Sequence, residues 1–185
     1  MQIINHKLTG IKHGFSPNFD ERPDPGDIAL LVLHCISLPP NEFGADYIDR
    51  LFANQLNPAE HPYFETIHQI KVSAHVLIRR SGEIIQYVPF DKRAWHAGPS
   101  LYQGRSHCND FSIGIELEGT ETVPYTEIQY RQLAAVITCL FEQYPLLSKD
   151  TLTGHSDIAP GRKTDPGIAF DWAKLFDLLA ENKTA

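Results

Sequence analysis

The stretch that most limits what this chain can fold into is residues 28–36, IALLVLHCI, apolar at every position except His34. The run is continuous rather than alternating, and β-branched Ile28, Val32 and Ile36 favour extended backbone. It predicts a central strand covered on both faces, and therefore a sheet with layers packed on each side. No stretch of the chain approaches the ~20 apolar residues that a membrane span needs.

The remaining pattern fills in those layers. SLPPNEFG (37–44) breaks the strand, and ADYIDRLFANQL (45–56) places Tyr47, Ile48, Leu51 and Phe52 near one helical face. HPYFETIHQI (61–70) fits a short helix or an irregular loop. SAHVLIRRSGEIIQYVP (73–89) reads as two strands joined at Ser81-Gly82. Residues 91–110 form a long polar and aromatic stretch without a clear period, and such loops are often functional. FSIGIELEG (111–119) is the next strand. From Thr126 to Pro145 runs the clearest helix, opened by a Thr126–Gln129 capping box, with Leu133, Val136, Ile137, Leu140, Phe141 and Tyr144 at helical spacing. LTGH (152–155) reads as a short strand ending on His155, and AFDWAKLFDLLA (169–180) as a last helix. Residues 1–27 read as an extended surface segment. This order implies an α/β protein: a single domain over 1–185 with one mixed central β-sheet flanked by helices.

Composition narrows the function classes. Hydrophobic residues make up 42% and charged residues 21%, as in ordinary globular proteins. A net charge of −7 argues against general affinity for nucleic acid or an anionic membrane. The N-terminus lacks the pattern of a secretory signal, and the odd set Cys35, Cys108 and Cys139 has no metal-binding spacing. A cytoplasmic protein with reduced thiols is expected.

Nine histidines are many for 185 residues. His6, His13, His61 and His68 lie in polar segments and are expected to face solvent. His34 ends the apolar strand; it suits a hydrogen-bonded core histidine or a metal ligand. The segment GHSDIAPGRKTDPG (154–167) concentrates His155, Lys163 and Asp165 among rigid Pro-Gly pairs. Asp165 is also a good first residue of a turn. Two His and one carboxylate would leave a fourth position open on a tetrahedral zinc, the pattern of a catalytic site, but spacing alone does not pair His34 with His155. Glu116 alternates with Ile115 and Leu117 on its strand. It is either on a solvated strand face or in a cleft, where a desolvated carboxylate beside a metal suits a general base.

LVLHCISLPPNEFG, AWHAG, YQGRSHCNDFSIGIELEG and TGHSDIAPGRKTDPG together resemble the zinc-dependent N-acetylmuramoyl-L-alanine amidases. That superfamily also takes in phage lysozyme-like amidases and peptidoglycan recognition proteins. The resemblance runs over nearly the whole chain. It implies Zn2+ bound by His34, His155 and Asp165, catalysis by Glu116 with Lys163 stabilising the oxyanion, and a mixed sheet flanked by helices. The implied substrate is a small cytoplasmic anhydro-muropeptide, cut between the lactyl group of anhydro-muramic acid and L-alanine. A monomer without membrane or nucleic-acid partners is expected.

The chain departs from the family pattern at three positions implicated in substrate contact. Cys35 stands where Asn is common, and Lys71 and His107 stand where Arg is common; Lys lacks the bidentate fork of Arg, and His is only partly charged near pH 7. Lys71, Arg105, His107 and Arg162 are candidates for the peptide carboxylates, and Tyr63 and Trp95 for apolar substrate surface. Each also reads as a solvated cation or a packed aromatic. Two other readings share these residues: an amidase acting on intact wall, disfavoured by the acidic charge, and a non-catalytic recognition module, disfavoured by the complete set of candidate ligands.

Overall fold

The computed structural model describes residues 1–181, so the last four positions of the expected 1–185 span lie outside the described residues. One mixed sheet of six strands organises the chain. Its strands are β1 (Lys12–His13), β2 (Leu30–Ile36), β3 (Val76–Ile78), β4 (Ile84–Gln86), β5 (Ser112–Glu118) and β6 (Leu152–Gly154). They lie in the order β6-β2-β5-β3-β4-β1. All neighbours are parallel except the β3–β4 hairpin. Its turn closes with the Arg79 carbonyl accepting from Gly82 N at 2.8 Å, and Gly82 takes the left-handed φ of 86° that Gly tolerates.

Alternation along the strands sorts the apolar side chains onto the two faces of the sheet, with one core cluster on one face and two on the other. Leu31 and Leu33 of β2, with Ile113, Ile115 and Leu117 of β5, pack under helices α3 (Glu127–Gln143) and α5 (Trp172–Glu181) through Leu133, Val136, Ile137, Leu140, Leu175 and Leu179. On the other face, Leu30 and Val32 meet Ala97, Cys108, Phe111 and Ile158. Leu77 and Ile85 meet Phe52 of α1 (Tyr47–Phe52) and Phe64 of α2 (Pro62–Ile67). Both faces of β2 are buried, as the unbroken apolar run requires.

Local signals agree with these elements. The Thr126 hydroxyl accepts from Gln129 N, the Gln129 side chain reaches back to Thr126 N, and α3 ends just before Pro145. The ambiguous segment 61–70 contains a helix, whose start is capped by His61 Nδ1 accepting from Tyr63 N at 3.1 Å.

Three expectations need correction. Residues 1–27 are more than an extended surface segment: Lys12–His13 joins the sheet, and Leu8, Ser16, Asn18 and Arg22 are buried. Arg22 is held there because its guanidinium donates to the carbonyls of Phe90, Asn109, Asp110 and Ser112 at 2.6–3.2 Å. The stretch 91–110 is not structureless, since Lys92–Ala94 pairs with Phe19–Glu21 and Leu101–Tyr102 with Arg105–Ser106. The strand before His155 ends one residue early, and His155 opens a short helix, α4 (His155–Ile158).

Candidate active site

Three parallel strands end side by side and bring polar groups to one place. The β2–β5 register sets Glu116 beside His34. The β2–β6 register pairs Gly154 with Leu33, so His155, the next residue, arrives level with His34. Asp165 returns on the loop after α4, where its carbonyl accepts from Ser156 N at 3.0 Å. Chain distance therefore hid a pairing that sheet register makes unavoidable.

His34 Nδ1, His155 Nδ1 and Asp165 Oδ2 form a triangle with sides of 3.0, 3.0 and 3.1 Å. All three residues are buried. The outer nitrogen of His155, Nε2, lies 3.0 Å from the Ala97 carbonyl. A carbonyl only accepts, so Nε2 carries the proton and Nδ1 turns its lone pair inward. That lone pair and the Asp165 carboxylate then face each other across 3.1 Å, with His34 Nδ1 3.0 Å from each. A cation completes such an arrangement. Tetrahedral zinc with bonds of ~2.0–2.1 Å spreads its donors to about 3.3 Å, so the triangle fits after a small relaxation. Among the described residues this is the one group of His, Cys, Asp or Glu side chains gathered closely enough to hold a metal ion.

Electrostatics separates the charged from the neutral members. Burial pushes His34 down to about 4, so its ring is neutral at pH 7. Burial works against the Asp165 carboxylate, but the adjacent His155 and His34 rings override it and hold the group well below the usual carboxylate range. Glu116 goes the other way: desolvation, with the charge of Asp165 adding to it, raises it well above the usual range while Lys163 opposes. Glu116 Oε2 is buried and has no hydrogen-bond partner. Such an atom is costly unless something outside the chain meets it.

These groups open into a cleft of about 570 Å³. Its lining includes His34, Glu116, His155, Lys163 and Asp165, apolar side chains from Leu38, Leu51, Phe52, Ile67 and Ile70, and polar ones from Glu121, Thr122 and Thr164. Cys35, Tyr63 and Arg162 also line it. Burial raises the Cys35 thiol to about 12, so it is neutral. Arg162 Nη2 donates to the carbonyls of Ala97 and Pro99, both at 2.7 Å.

Lys71, Trp95, Arg105 and His107 do not form part of the cleft lining. Arg105 is paired with Asp27 and lies over the Phe111 ring at 3.8 Å. His107 precedes a short 3-10 turn with φ of 59°. Lys71 is exposed. The Trp95 backbone is bonded both ways to Ser73, with N to Oγ at 3.0 Å and its carbonyl to Ser73 N at 3.1 Å.

Sequence reasoning missed the layer beneath the triangle. His96 lines the cleft beside His34, and buried His75 packs against it with Arg22 and Ser112 buried nearby; burial holds His75 at about 3 and His96 well below its ordinary value. These rings cover Ser112 and Gly114 on the polar face of β5, while Glu116 faces the cleft. His6 and His13 are exposed as expected, and His61 and His68 are half-buried.

Comparison with known proteins agrees with this geometry. The profile of the N-acetylmuramoyl-L-alanine amidase family matches residues 24–168. The chain is 59% identical over 177 residues to the 1,6-anhydro-N-acetylmuramyl-L-alanine amidase AmpD of Escherichia coli K12, covering 96% of both chains. It superposes on the crystal structure of a Se-Met AmpD derivative with a TM-score of 0.94, at 57% identity, covering 97% of this chain and 99% of that one. A more distant likeness is the Escherichia coli amidase AmiD in complex with the substrate anhydro-N-acetylmuramic acid-L-Ala-D-gamma-Glu-L-Lys. There the TM-score is 0.59 at 28% identity, over 82% of this chain and 57% of that one.

Proposed function

This chain belongs to the N-acetylmuramoyl-L-alanine amidase family and is an amidase, and from that premise we propose a zinc-dependent activity on small anhydro-muropeptides. The bond cut is the amide between the lactyl group of 1,6-anhydro-N-acetylmuramic acid and L-alanine, in the cytoplasm, during peptidoglycan recycling. The observation that carries the reading is Glu116 Oε2, buried without a partner beside the His34–His155–Asp165 triangle.

A zinc ion held by His34, His155 and Asp165 would polarise the amide carbonyl and acidify water toward a pKa of ~7. Glu116 Oε2 accepts the proton of the attacking water and passes it to the alanine nitrogen as the carbon–nitrogen bond breaks. The products are a lactyl carboxylate and a free amine. Its raised pKa suits both halves of this transfer, a contribution of ~10²–10⁴-fold in general acid–base catalysis. The Lys163 ammonium, also in the cleft, offsets the charge that grows on the carbonyl oxygen. The apolar lining from Leu38, Leu51, Phe52, Ile67 and Ile70 excludes water around the reacting amide.

Several features favour a small substrate in the cytoplasm. The relative AmpD is named for the anhydro sugar, and the AmiD complex holds an anhydro-muropeptide. The net charge of −7 suits poorly a surface that must adhere to an anionic polymer. Among the described residues no helix is long and apolar enough to cross a membrane, and the three cysteines are free thiols. The test compares hydrolysis of a defined anhydro-muropeptide with peptide release from purified sacculi. Faster turnover of the anhydro-muropeptide is expected. Preferential release from sacculi would replace this reading with that of a wall-degrading amidase.

A further inference from the structure

The dipeptide His96–Ala97 touches the outer nitrogens of both histidines of the triangle. The Ala97 carbonyl accepts from His155 Nε2 at 3.0 Å, and His96 Nδ1 lies 2.9 Å from His34 Nε2. The far side of the His96 ring is anchored, with Nε2 3.2 Å from Ser112 Oγ. The dipeptide is itself held by one side chain: Asn109 Oδ1 accepts from His96 N at 3.1 Å and from Ala97 N at 2.8 Å.

Room for the ring is made by a missing side chain. Gly114 lies two residues before Glu116 on β5, and a Cβ there would come 2.4 Å from His96 Cγ. In that notch the His96 ring stands edge-on to His34, with centroids 5.0 Å apart and planes at 81°.

We infer that His96 is a positioning residue, whose Nδ1 accepts the Nε2 proton of His34 and thereby fixes the tautomer that turns His34 Nδ1 toward the metal. This rests on the zinc reading above. With Nδ1 of His34 committed to a metal, the ring's proton sits on Nε2 and needs an acceptor in a buried place. His96 Nδ1 is that acceptor, and its own proton on Nε2 goes to Ser112 Oγ. His96 thus does for His34 what the Ala97 carbonyl does for His155.

Asn and Leu are nearly the same size, but only Asn keeps an acceptor near the position of His96 Nδ1. Zinc affinity is measured by chelator competition on stripped and reloaded protein. His96→Leu is expected to weaken zinc binding about 10–100-fold, and His96→Asn to stay within about threefold of wild type. Equal losses in the two variants, or no loss in either, would reduce His96 to a packing residue and overturn the inference. The 15N ring signals of wild-type histidines give a second readout that needs no variant to fold. They should show His96 protonated at Nε2 with Nδ1 accepting; protonation at Nδ1 overturns the inference even if zinc binds. Wild-type protein that takes up no zinc would defeat the metal reading itself, an outcome the competition assay registers separately.

Discussion

Replacing Glu116 by Gln should slow the enzyme and stabilise its metal-free fold at once. The carboxylate is buried, Oε2 has no partner, and Asp165 adds like charge nearby. A buried group left unsatisfied costs about 1–3 kcal/mol, and more when charged. Gln keeps the shape but does not ionise, so folding no longer has to take up a proton or bury a charge at this site, and a gain of about 1–3 kcal/mol is expected at neutral pH. For a chain of this size that corresponds to a Tm increase of roughly 2–12 °C. The sign follows from linkage. Because the folded pKa is raised, native Glu116 retains a proton that the unfolded chain has released, and stability falls as pH rises from the unfolded carboxylate range through the folded pKa. The Gln variant lacks this loss, so its advantage should vanish near pH ~4 and grow toward neutrality. Thermal unfolding of zinc-stripped wild type and variant across that range measures it, with turnover on anhydro-muropeptide measured in parallel and expected to drop ~10²–10⁴-fold. A variant less stable than wild type at neutral pH, or an advantage independent of pH, would show that Glu116 is not the strained, desolvated group described here.

Lys163→Ala should keep its zinc yet lose about 2.7–4 kcal/mol of transition-state stabilisation, seen as a ~10²–10³-fold fall in kcat; unchanged turnover would remove Lys163 from the reaction. Arg22→Met strands four backbone carbonyls that the guanidinium now joins, so urea unfolding should show a loss of at least ~3 kcal/mol, with a loss under ~1 kcal/mol counting against its bracing role. Gly167→Ala puts a Cβ 2.2 Å from Glu121 Cα at a φ of 86°, which should cost more than ~1 kcal/mol and loosen zinc by shifting the Asp165 loop. Wild-type zinc affinity in that variant would mean the loop absorbs the strain without moving Asp165.

The fold was legible where one physical signal dominates. The apolar run of β2 announced a strand covered on both faces, and the Thr126–Gln129 box located the start of α3 to the residue. The N-terminal segment misled because its buried residues, Leu8 apart, are polar. Ser16, Asn18 and Arg22 are inside through hydrogen bonds to backbone carbonyls, which no hydropathy pattern reports. At the site, residue chemistry suggested His155 and Asp165, but the approach of His34 depends on the β2–β6 register, a long-range fact. His96 stayed hidden for the same reason: its significance lies in Gly114, eighteen residues away, being too small to exclude it. Lys71, Trp95, Arg105 and His107 lie outside the cleft lining, a placement that residue type alone does not report, and Arg105 is engaged with Asp27 and Phe111.

The central claim is that His34, His155 and Asp165 hold the zinc on which amide hydrolysis depends. Its most direct test is to strip the protein of metal, titrate zinc back, and follow cleavage of a defined anhydro-muropeptide with identification of the products. Activity should rise from near zero and saturate at one zinc per chain, releasing anhydro-N-acetylmuramic acid and a peptide with a free L-alanine amine. Full hydrolysis by the stripped protein, or zinc saturation without cleavage at that amide, would contradict the account.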